Sequence, residues 1–217
     1  MSESASSSSQ VSTGAKNENS SMRMDAGIVK IDKAISRPWK GIVWHHSASP
    51  DGAVRDWPGI VKYHTSYRVD FNIVTKDEYD RRLAAKQGKS FLPPWRDVGY
   101  HGGIEMVDGH AMYAPGRPLS EIGAHAGVKN ASNRFNTEYL GLCAIGNYDN
   151  IIPSEEIWIL ATVVTWELMR AFSIPATHVI GHREVYDLLG VPREKSCPGR
   201  FWDMEAFRKD LKEESHG

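Results

Sequence analysis

Gly41-Ile42-Val43-Trp44-His45-His46 is the stretch of the chain that decides the fold. Its β-branched and aromatic residues make an apolar run of strand length, and the loop that closes it, from Ser47 to Gly52, contains a proline and an Asp-Gly pair. Such a run predicts a core strand. Adjacent strand residues point to opposite faces of a sheet, so only one of His45 and His46 can face a given site. The stretch therefore predicts a buried strand that ends in a candidate functional histidine.

Outside this strand, segments with helical periodicity are mixed with segments typical of strands. Asp108-Gly109 is a two-residue hairpin signal. Residues Thr75 to Arg96 are charged and are expected to be irregular. The other patterns predict, in chain order, a helix from Asp56, a strand from Val98 to Val107, its hairpin partner from His110 to Ala114, a strand from Tyr139 to Ile145, a helix from Ile157 to Phe172 capped by Ser154, and a helix from Trp202 to Glu213. Strands mixed with helices predict one α/β domain with a central mixed β-sheet flanked by helices.

Composition excludes several classes of function. The chain has 217 residues, enough for one ordinary domain with a short appendage. Its 26 Lys and Arg against 27 Asp and Glu give a formal charge of −1, which supplies no basic footprint for nucleic acid and no strong attraction to an anionic membrane. Two cysteines allow one disulfide at most. We therefore expect a protein that binds no nucleic acid and has no stable membrane association. We also expect a monomer.

The N-terminal stretch differs in composition from the rest of the chain. It is polar, rich in serine and almost free of large apolar side chains, so ordering it would cost backbone entropy with little burial in return. We expect residues 1–25 to be a flexible tail and residues 26–217 to form the domain. The tail lacks the positive-then-apolar pattern of a secretory signal peptide.

The chain has nine histidines, which is a large number for an uncommon residue type. A catalytic zinc site takes three ligands, His or Cys among them, and keeps one coordination position open. His45 or His46, together with His182 and Cys197, would supply such a set. Taken alone, each histidine is more often a core or surface residue than a ligand, and a cysteine before a proline is more often structural.

Several segments, taken together and in order, resemble one family. They are Ile42–Ala48 (IVWHHSA), Trp95–His101 (WRDVGYH), Gly123–Ala126 (GAHA) with Asn130, Leu140–Asn147 (LGLCAIGN), Gly181–Val185 (GHREV) and Lys195–Gly199 (KSCPG). They resemble the zinc-dependent N-acetylmuramoyl-L-alanine amidases, which include bacteriophage lysozyme-type amidases and the peptidoglycan recognition proteins. The resemblance covers roughly Gly41 to Phe207.

The resemblance implies roles for individual residues. It implies one zinc ion per chain, held by His45, His182 and Cys197. Tyr100 and Lys195 match the two non-ligand residues that these amidases use in catalysis. Positions around the family's substrate groove are matched by His64, His125 and Asn130.

The implied residue types suit hydrolysis of an amide. Zinc lowers the pKa of a bound water to about 7. A cation such as Lys195 would stabilise the negative charge that develops on the carbonyl oxygen, and the Tyr100 hydroxyl would orient the reacting groups. The implied reaction is cleavage of the bond between N-acetylmuramic acid and L-alanine in peptidoglycan. We expect a phage or prophage endolysin, made in the cytoplasm without a signal peptide and released to the cell wall through a holin or at lysis.

Two other functions fit parts of the pattern. A non-catalytic peptidoglycan-binding module of the same family would usually lack the cysteine ligand, and Cys197 is present. A Cys-His hydrolase would use Cys197 as its nucleophile and His182 as its base. The family pattern is also interrupted, because Tyr186 to Pro192 looks inserted between these two residues, and Cys143 stands where one branch of the family has a glutamate.

Overall fold

The computed structural model describes residues 27–48, 56–129 and 131–213. Within these ranges the chain forms two β-sheets and six α-helices. In chain order the elements are β1 (Gly41–His46), α1 (Trp57–His64), β2 (Tyr67–Val69), β3 (Asn72–Val74), α2 (Lys76–Ala84), β4 (Phe91–Leu92), β5 (Gly102–Val107), β6 (His110–Pro115), α3 (Arg134–Thr137), β7 (Tyr139–Ala144), α4 (Glu155–Phe172), β8 (Val179–Gly181), α5 (His182–Leu189) and α6 (Met204–Glu213). None of the helices in the described ranges combines the length and apolarity needed to cross a bilayer.

The main sheet places β1 near its centre. Its strand order is β6-β5-β7-β1-β8, with β1 parallel to both β7 and β8, β5 parallel to β7, and β6 antiparallel to β5. All six residues of β1 are buried, as a strand covered on both faces requires. In the register, His45 lies beside Cys143 of β7, and Trp44 lies beside Gly181 of β8. The predicted α/β domain with a mixed central sheet is confirmed, and the carboxyl ends of β1 and β8 lie next to each other.

The largest apolar core lies where α4 and α6 cover one side of the main sheet. Trp44 is fully buried there and stacks on Trp202 at a centroid distance of 5.3 Å, with Phe207 edge-on at 5.8 Å. The indole N–H of Trp44 donates to the Thr165 hydroxyl at 3.0 Å, so this buried polar atom has a partner. The core fixes the orientation of β1, because alternate residues of the strand face opposite ways. With Trp44 turned into the core, His45 points to the other side.

Elements with a strong local signal occur where the sequence predicts them. The Asp108-Gly109 hairpin joins β5 to β6, and both residues have positive φ, 50° and 84°, as a type I′ turn requires. Helix α4 begins after Ser154, whose side chain accepts the N–H of Ile157 at 3.3 Å. Strand β5 begins at Gly102, later than the predicted Val98, because the backbone of Gly99 bonds to residues outside the sheet. Its N–H donates to His64 Nδ1, and its carbonyl accepts the N–H of Ala124.

The prediction that Thr75 to Arg96 is irregular is wrong. The Thr75 hydroxyl caps α2 by accepting the N–H of Glu78, and acidic residues fill the first turn of that helix while arginines fill its last. The helix carries an i,i+4 ion pair between Lys76 and Asp80, so charge pairing takes the place of a broad apolar face. The charged residues at the start of this stretch form the solvent-facing surface of a capped helix.

Residues 67–92 form a small module of their own. Strands β2, β3 and β4 make a separate antiparallel sheet, against which α2 packs. Tyr79 of α2 contacts the rings of Tyr67 and Phe91, at centroid distances of 4.9 and 5.8 Å. The chain enters the module after His64 and re-enters the main domain at Trp95. The N–H of Trp95 donates to the His64 carbonyl at 2.9 Å. Its two ends are therefore joined by a backbone hydrogen bond.

Candidate metal centre

Three candidate ligands converge at the carboxyl ends of β1 and β8. His45 is the penultimate residue of β1, His182 directly follows β8 as the first residue of α5, and Cys197 lies in the loop before α6. One nitrogen or sulfur atom from each lies within 4.8 Å of the others, and all three residues are buried. His45 Nδ1 is 3.7 Å from Cys197 Sγ. Of the two candidates on β1, the structure brings His45, not His46, into this cluster.

The local electrostatics favour neutral imidazoles. Burial lowers the pKa of His45 well below its usual 6.5, and the charge of a protonated His182 would lower it further. Burial lowers the pKa of His182 to about 4, with a smaller contribution from Lys195. Neutral imidazole is the form that binds a metal. Burial also raises the pKa of the Cys197 thiol to about 12, so a metal ion would have to displace its proton.

One buried atom of the cluster lacks a partner among the residues that the structure describes. Within them, His182 Nε2 makes no hydrogen bond. A buried polar atom without a partner costs about 1–3 kcal/mol, so such atoms are rare outside functional sites. Two imidazole nitrogens and one thiolate are the donor set of zinc rather than of magnesium or calcium. The residues present therefore fit a zinc ion.

The loop that carries Cys197 is fixed by hydrogen bonds from two sides. The backbone N–H of His46 donates to Cys197 Sγ at 3.1 Å. The Asp149 carboxylate accepts the Ser196 hydroxyl at 2.6 Å and the Arg200 N–H at 2.9 Å. Sequence reasoning missed Asp149, because only contacts across the folded chain mark it. His46, which the sequence offered as an alternative to His45, contacts the sulfur through its backbone instead.

Tyr100 and Lys195 lie beside the cluster. Both line a cavity of about 300 Å³ that also contacts the three candidate ligands. The Tyr100 ring is 5.1 Å from the His45 ring, and burial raises its pKa well above 10. Lys195 is exposed and lines the cavity, so its side chain can reach a substrate bound there.

The three predicted groove residues have different positions. His64 packs against the Tyr100 ring at 5.5 Å, its Nδ1 accepts the Gly99 N–H, and burial lowers its pKa to about 4. His125 is buried next to His45, with a ring-centroid distance of 5.1 Å. Asn130 lies outside the described residues. The structure thus brings His64 to the edge of the site and His125 to its interior.

The stretch that looks inserted between His182 and Cys197 is largely helical. Residues 182–189 form α5, and Gly190, with φ of 68°, ends that helix in the left-handed conformation. Arg183 of α5 donates to the carbonyl of Gly199 at 2.6 Å, which ties the helix to the cysteine loop. The first part of this stretch, Tyr186 to Leu189, therefore belongs to a helix, and the candidate ligands remain together.

Comparison with known proteins identifies relatives of this fold. A family model described as N-acetylmuramoyl-L-alanine amidase matches residues 35–200, a range that includes all three candidate ligands. The crystal structure of a selenomethionine AmpD derivative is 20% identical, with a TM-score of 0.54 over 81% of this chain and 88% of that one, and it shares the fold. No curated protein matches the chain.

Two further solved structures are similar at lower scores. The N-acetylmuramoyl-L-alanine amidase LysC from Clostridium intestinale URNW is 18% identical, with a TM-score of 0.49 over 86% of this chain and 93% of that one. Wild-type PGRP-LB from Drosophila is 24% identical, with a TM-score of 0.47 over 77% of this chain and 78% of that one. Since the family model spans most of the sequence, the chain belongs to the N-acetylmuramoyl-L-alanine amidase family.

Proposed function

We propose that this amidase holds one zinc ion through His45, His182 and Cys197 and cleaves the bond between N-acetylmuramic acid and L-alanine in peptidoglycan. The observation that carries the proposal is the convergence of donor atoms from three buried residues within 4.8 Å. One of these residues is His182, whose Nε2 has no hydrogen-bond partner in the described part of the chain. When bound, zinc supplies a Lewis acid that polarises a carbonyl and lowers the pKa of water.

The residues around the cluster act on the amide itself. As the carbonyl carbon becomes tetrahedral, negative charge grows on its oxygen, and the Lys195 ammonium at the cavity rim stabilises that charge. Tyr100 keeps its proton, because burial raises its pKa, and its hydroxyl donates a hydrogen bond that orients the reacting groups. His64, behind Tyr100, and Asn130 are proposed to contact the substrate.

The raised pKa of Cys197 weighs against a Cys-His hydrolase. The nucleophile of such an enzyme is a thiolate, whereas burial holds this thiol protonated at neutral pH. The intact set of donor atoms likewise disfavours a module that only binds peptidoglycan.

The biological role that we propose is that of a phage or prophage endolysin. The protein would act as a monomer, be made in the cytoplasm and reach the wall through a holin or at lysis. The support for this role is the resemblance of the sequence to bacteriophage amidases.

Metal analysis of the purified protein tests the ligand set. We expect about one zinc per chain, loss of zinc and activity in Cys197→Ala, and retention of zinc in the matched control Cys143→Ala, because Cys143 is buried in β7 outside the cluster. Full activity with metal bound in Cys197→Ala would show that the ligand assignment is wrong.

Mass spectrometry of digested peptidoglycan tests the bond that is cleaved. The expected products are stem peptides with a new L-alanine amino terminus and uncut glycan strands. New reducing ends would indicate a glycosidase, and a new amino terminus on another residue would indicate an endopeptidase. Either result contradicts the proposed reaction even if zinc is present.

A further inference from the structure

A chain of hydrogen bonds connects the candidate ligand His45 to the backbone of β7 through a second histidine. His45 Nε2 is 3.0 Å from His125 Nδ1, and His125 Nε2 is 3.1 Å from the carbonyl oxygen of Tyr139. Both nitrogens of the His125 ring are therefore engaged inside the protein, and the residue is only 8% exposed.

The direction of these hydrogen bonds follows from the carbonyl at the end of the chain. A carbonyl oxygen only accepts, so His125 Nε2 carries the hydrogen and donates it to Tyr139. The other nitrogen of a neutral imidazole is then an acceptor, so His125 Nδ1 accepts the Nε2–H of His45. This leaves the lone pair of His45 on Nδ1, the atom that lies 3.7 Å from Cys197 Sγ.

Two glycines make room for the His125 ring. A Cβ on Gly141 of β7 would lie 2.3 Å from the ring, and a Cβ on Gly123 would lie 2.4 Å from it, closer than real atoms approach. The Asn136 side chain fixes the backbone at the same point, because its oxygen accepts the N–H groups of both His125 and Ala126, at 2.7 and 2.8 Å. The position of the ring is thus set by the backbone on several sides.

We propose that His125 is a positioning residue that holds His45 in the tautomer and orientation in which Nδ1 binds the metal ion. It replaces the carboxylate, carbonyl or water that usually accepts the second N–H of a metal-bound histidine. This role differs from the substrate contact that the sequence resemblance implies for His125, because a ring with both nitrogens engaged has none left for substrate. The inference rests on the proposed zinc site.

Zinc affinity, measured by competition with a chromogenic chelator, tests the proposal. His125→Leu removes both hydrogen bonds at similar volume, and we expect its zinc affinity to fall 10- to 100-fold. His125→Gln, which offers both an acceptor and a donor, should recover part of that loss. The matched control is His101→Leu. His101 is also buried and also has both nitrogens bonded, to the Gly141 N–H and the Glu121 carbonyl, but neither bond reaches a candidate ligand.

A spectroscopic measurement separates positioning from a general loss of stability. With cobalt in place of zinc, the d–d absorption bands report the arrangement of the ligands, so they should change in His125→Leu and remain as in the wild type in His101→Leu. Equal loss of zinc affinity in both variants, or wild-type affinity and spectra in His125→Leu, would overturn the positioning role. A wild-type protein that binds no zinc would overturn the proposed function as well, so the two failures are distinguishable.

Discussion

Asp149 supports the loop that carries both the candidate ligand Cys197 and the cation Lys195. Its carboxylate accepts the Ser196 hydroxyl and the Arg200 N–H, and it lies 3.9 Å from His46 Nε2. Charge-assisted hydrogen bonds contribute about 1.5–3 kcal/mol each, so their loss should let this loop move. We predict that Asp149→Ala lowers kcat at least about tenfold, since small displacements of reacting groups are costly.

The matched control for this prediction is Asp80→Ala. Asp80 lies on α2 and pairs with exposed Lys76, and neither residue lines the cavity, so its loss should leave kcat unchanged. Equal kcat values for Asp149→Ala and the wild type would show that the loop keeps its position without the carboxylate.

Substitutions of Tyr100 and Lys195 should affect the enzyme differently from substitutions of the candidate metal ligands. We predict that Tyr100→Phe and Lys195→Ala keep zinc but lose most of kcat, because both residues are proposed to stabilise the transition state. Steady-state kinetics together with metal analysis checks this. A large rise in KM at constant kcat would make them substrate-binding residues instead.

His101 should make the fold sensitive to acid. Burial lowers its pKa from 6.5 to about 4, so the folded state favours the neutral ring while the unfolded chain takes up a proton below pH 6.5. The stability contributed by neutral His101 is complete above pH 6.5 and is lost as the pH falls towards 4, by up to about 3 kcal/mol at 1.36 kcal/mol per pKa unit.

Urea unfolding at pH 7 and at pH 4.5 measures this contribution. The loss of stability between the two values should be smaller in His101→Gln than in the wild type. It should be unchanged in His110→Gln, because His110 is exposed on β6. An identical loss in His101→Gln and the wild type would assign the acid sensitivity to other groups.

At the scale of elements, the module of residues 67–92 is attached through adjacent ends. The N–H of Trp95 already donates to the His64 carbonyl, so Thr65 and one glycine are enough to close a four-residue turn between them. We predict that replacing residues 66–94 by a single glycine leaves the main sheet folded and the zinc content unchanged. Circular dichroism and metal analysis check this.

Removing the module also removes the guanidinium of Arg68 from the rings of Tyr63 and Trp95, at 4.7 and 5.3 Å, so some loss of thermal stability is expected. Loss of zinc, or of cooperative unfolding, would show that the main domain depends on the module.

The elements differ in how far the sequence alone predicts them. Local signals predict three of the elements. They are the apolar run of β1, the turn residues of the Asp108-Gly109 hairpin and the Ser154 cap of α4. Strand β8 has only three residues, and its pairing with β1 arises from the tertiary fold, so no window of sequence indicates it. Helix α2 was missed because it has no broad apolar face, although its cap and its charge pair are also local signals.

The sequence likewise predicts only part of the candidate site. The resemblance supplied His45, His182 and Cys197, and the structure brings all three together. It could not supply the position of His125, because that ring lies in a gap between Gly123 and Gly141, and such a gap depends on chain segments that meet only after folding.

At the scale of the whole molecule, the first described residues of the chain are attached to helix α4. The Glu167 carboxylate accepts the N–H groups of Ile28 and Val29, at 2.9 and 2.8 Å. We predict that deleting residues 1–24 leaves the melting temperature and zinc content unchanged. Deleting residues 1–30 should lower the melting temperature, because it removes both hydrogen bonds and the buried Val29 side chain. Calorimetry of the two deletions checks this, and a fall of more than a few degrees in the shorter one would contradict the predicted flexible tail.

The separation of the candidate ligands along the chain determines when the protein can become active. His45 and Cys197 are 152 positions apart, so the ribosome adds the last candidate ligand 152 residues after the first. Under the proposed ligand set, a chain that stops before Cys197 cannot hold the metal and is inactive. Once the chain is complete, metal that binds only the folded state stabilises it by about 2.7 kcal/mol at a free concentration of 100 Kd. Metal supply and protein lifetime are then coupled, and starvation for zinc would shorten the life of the enzyme as well as silence it.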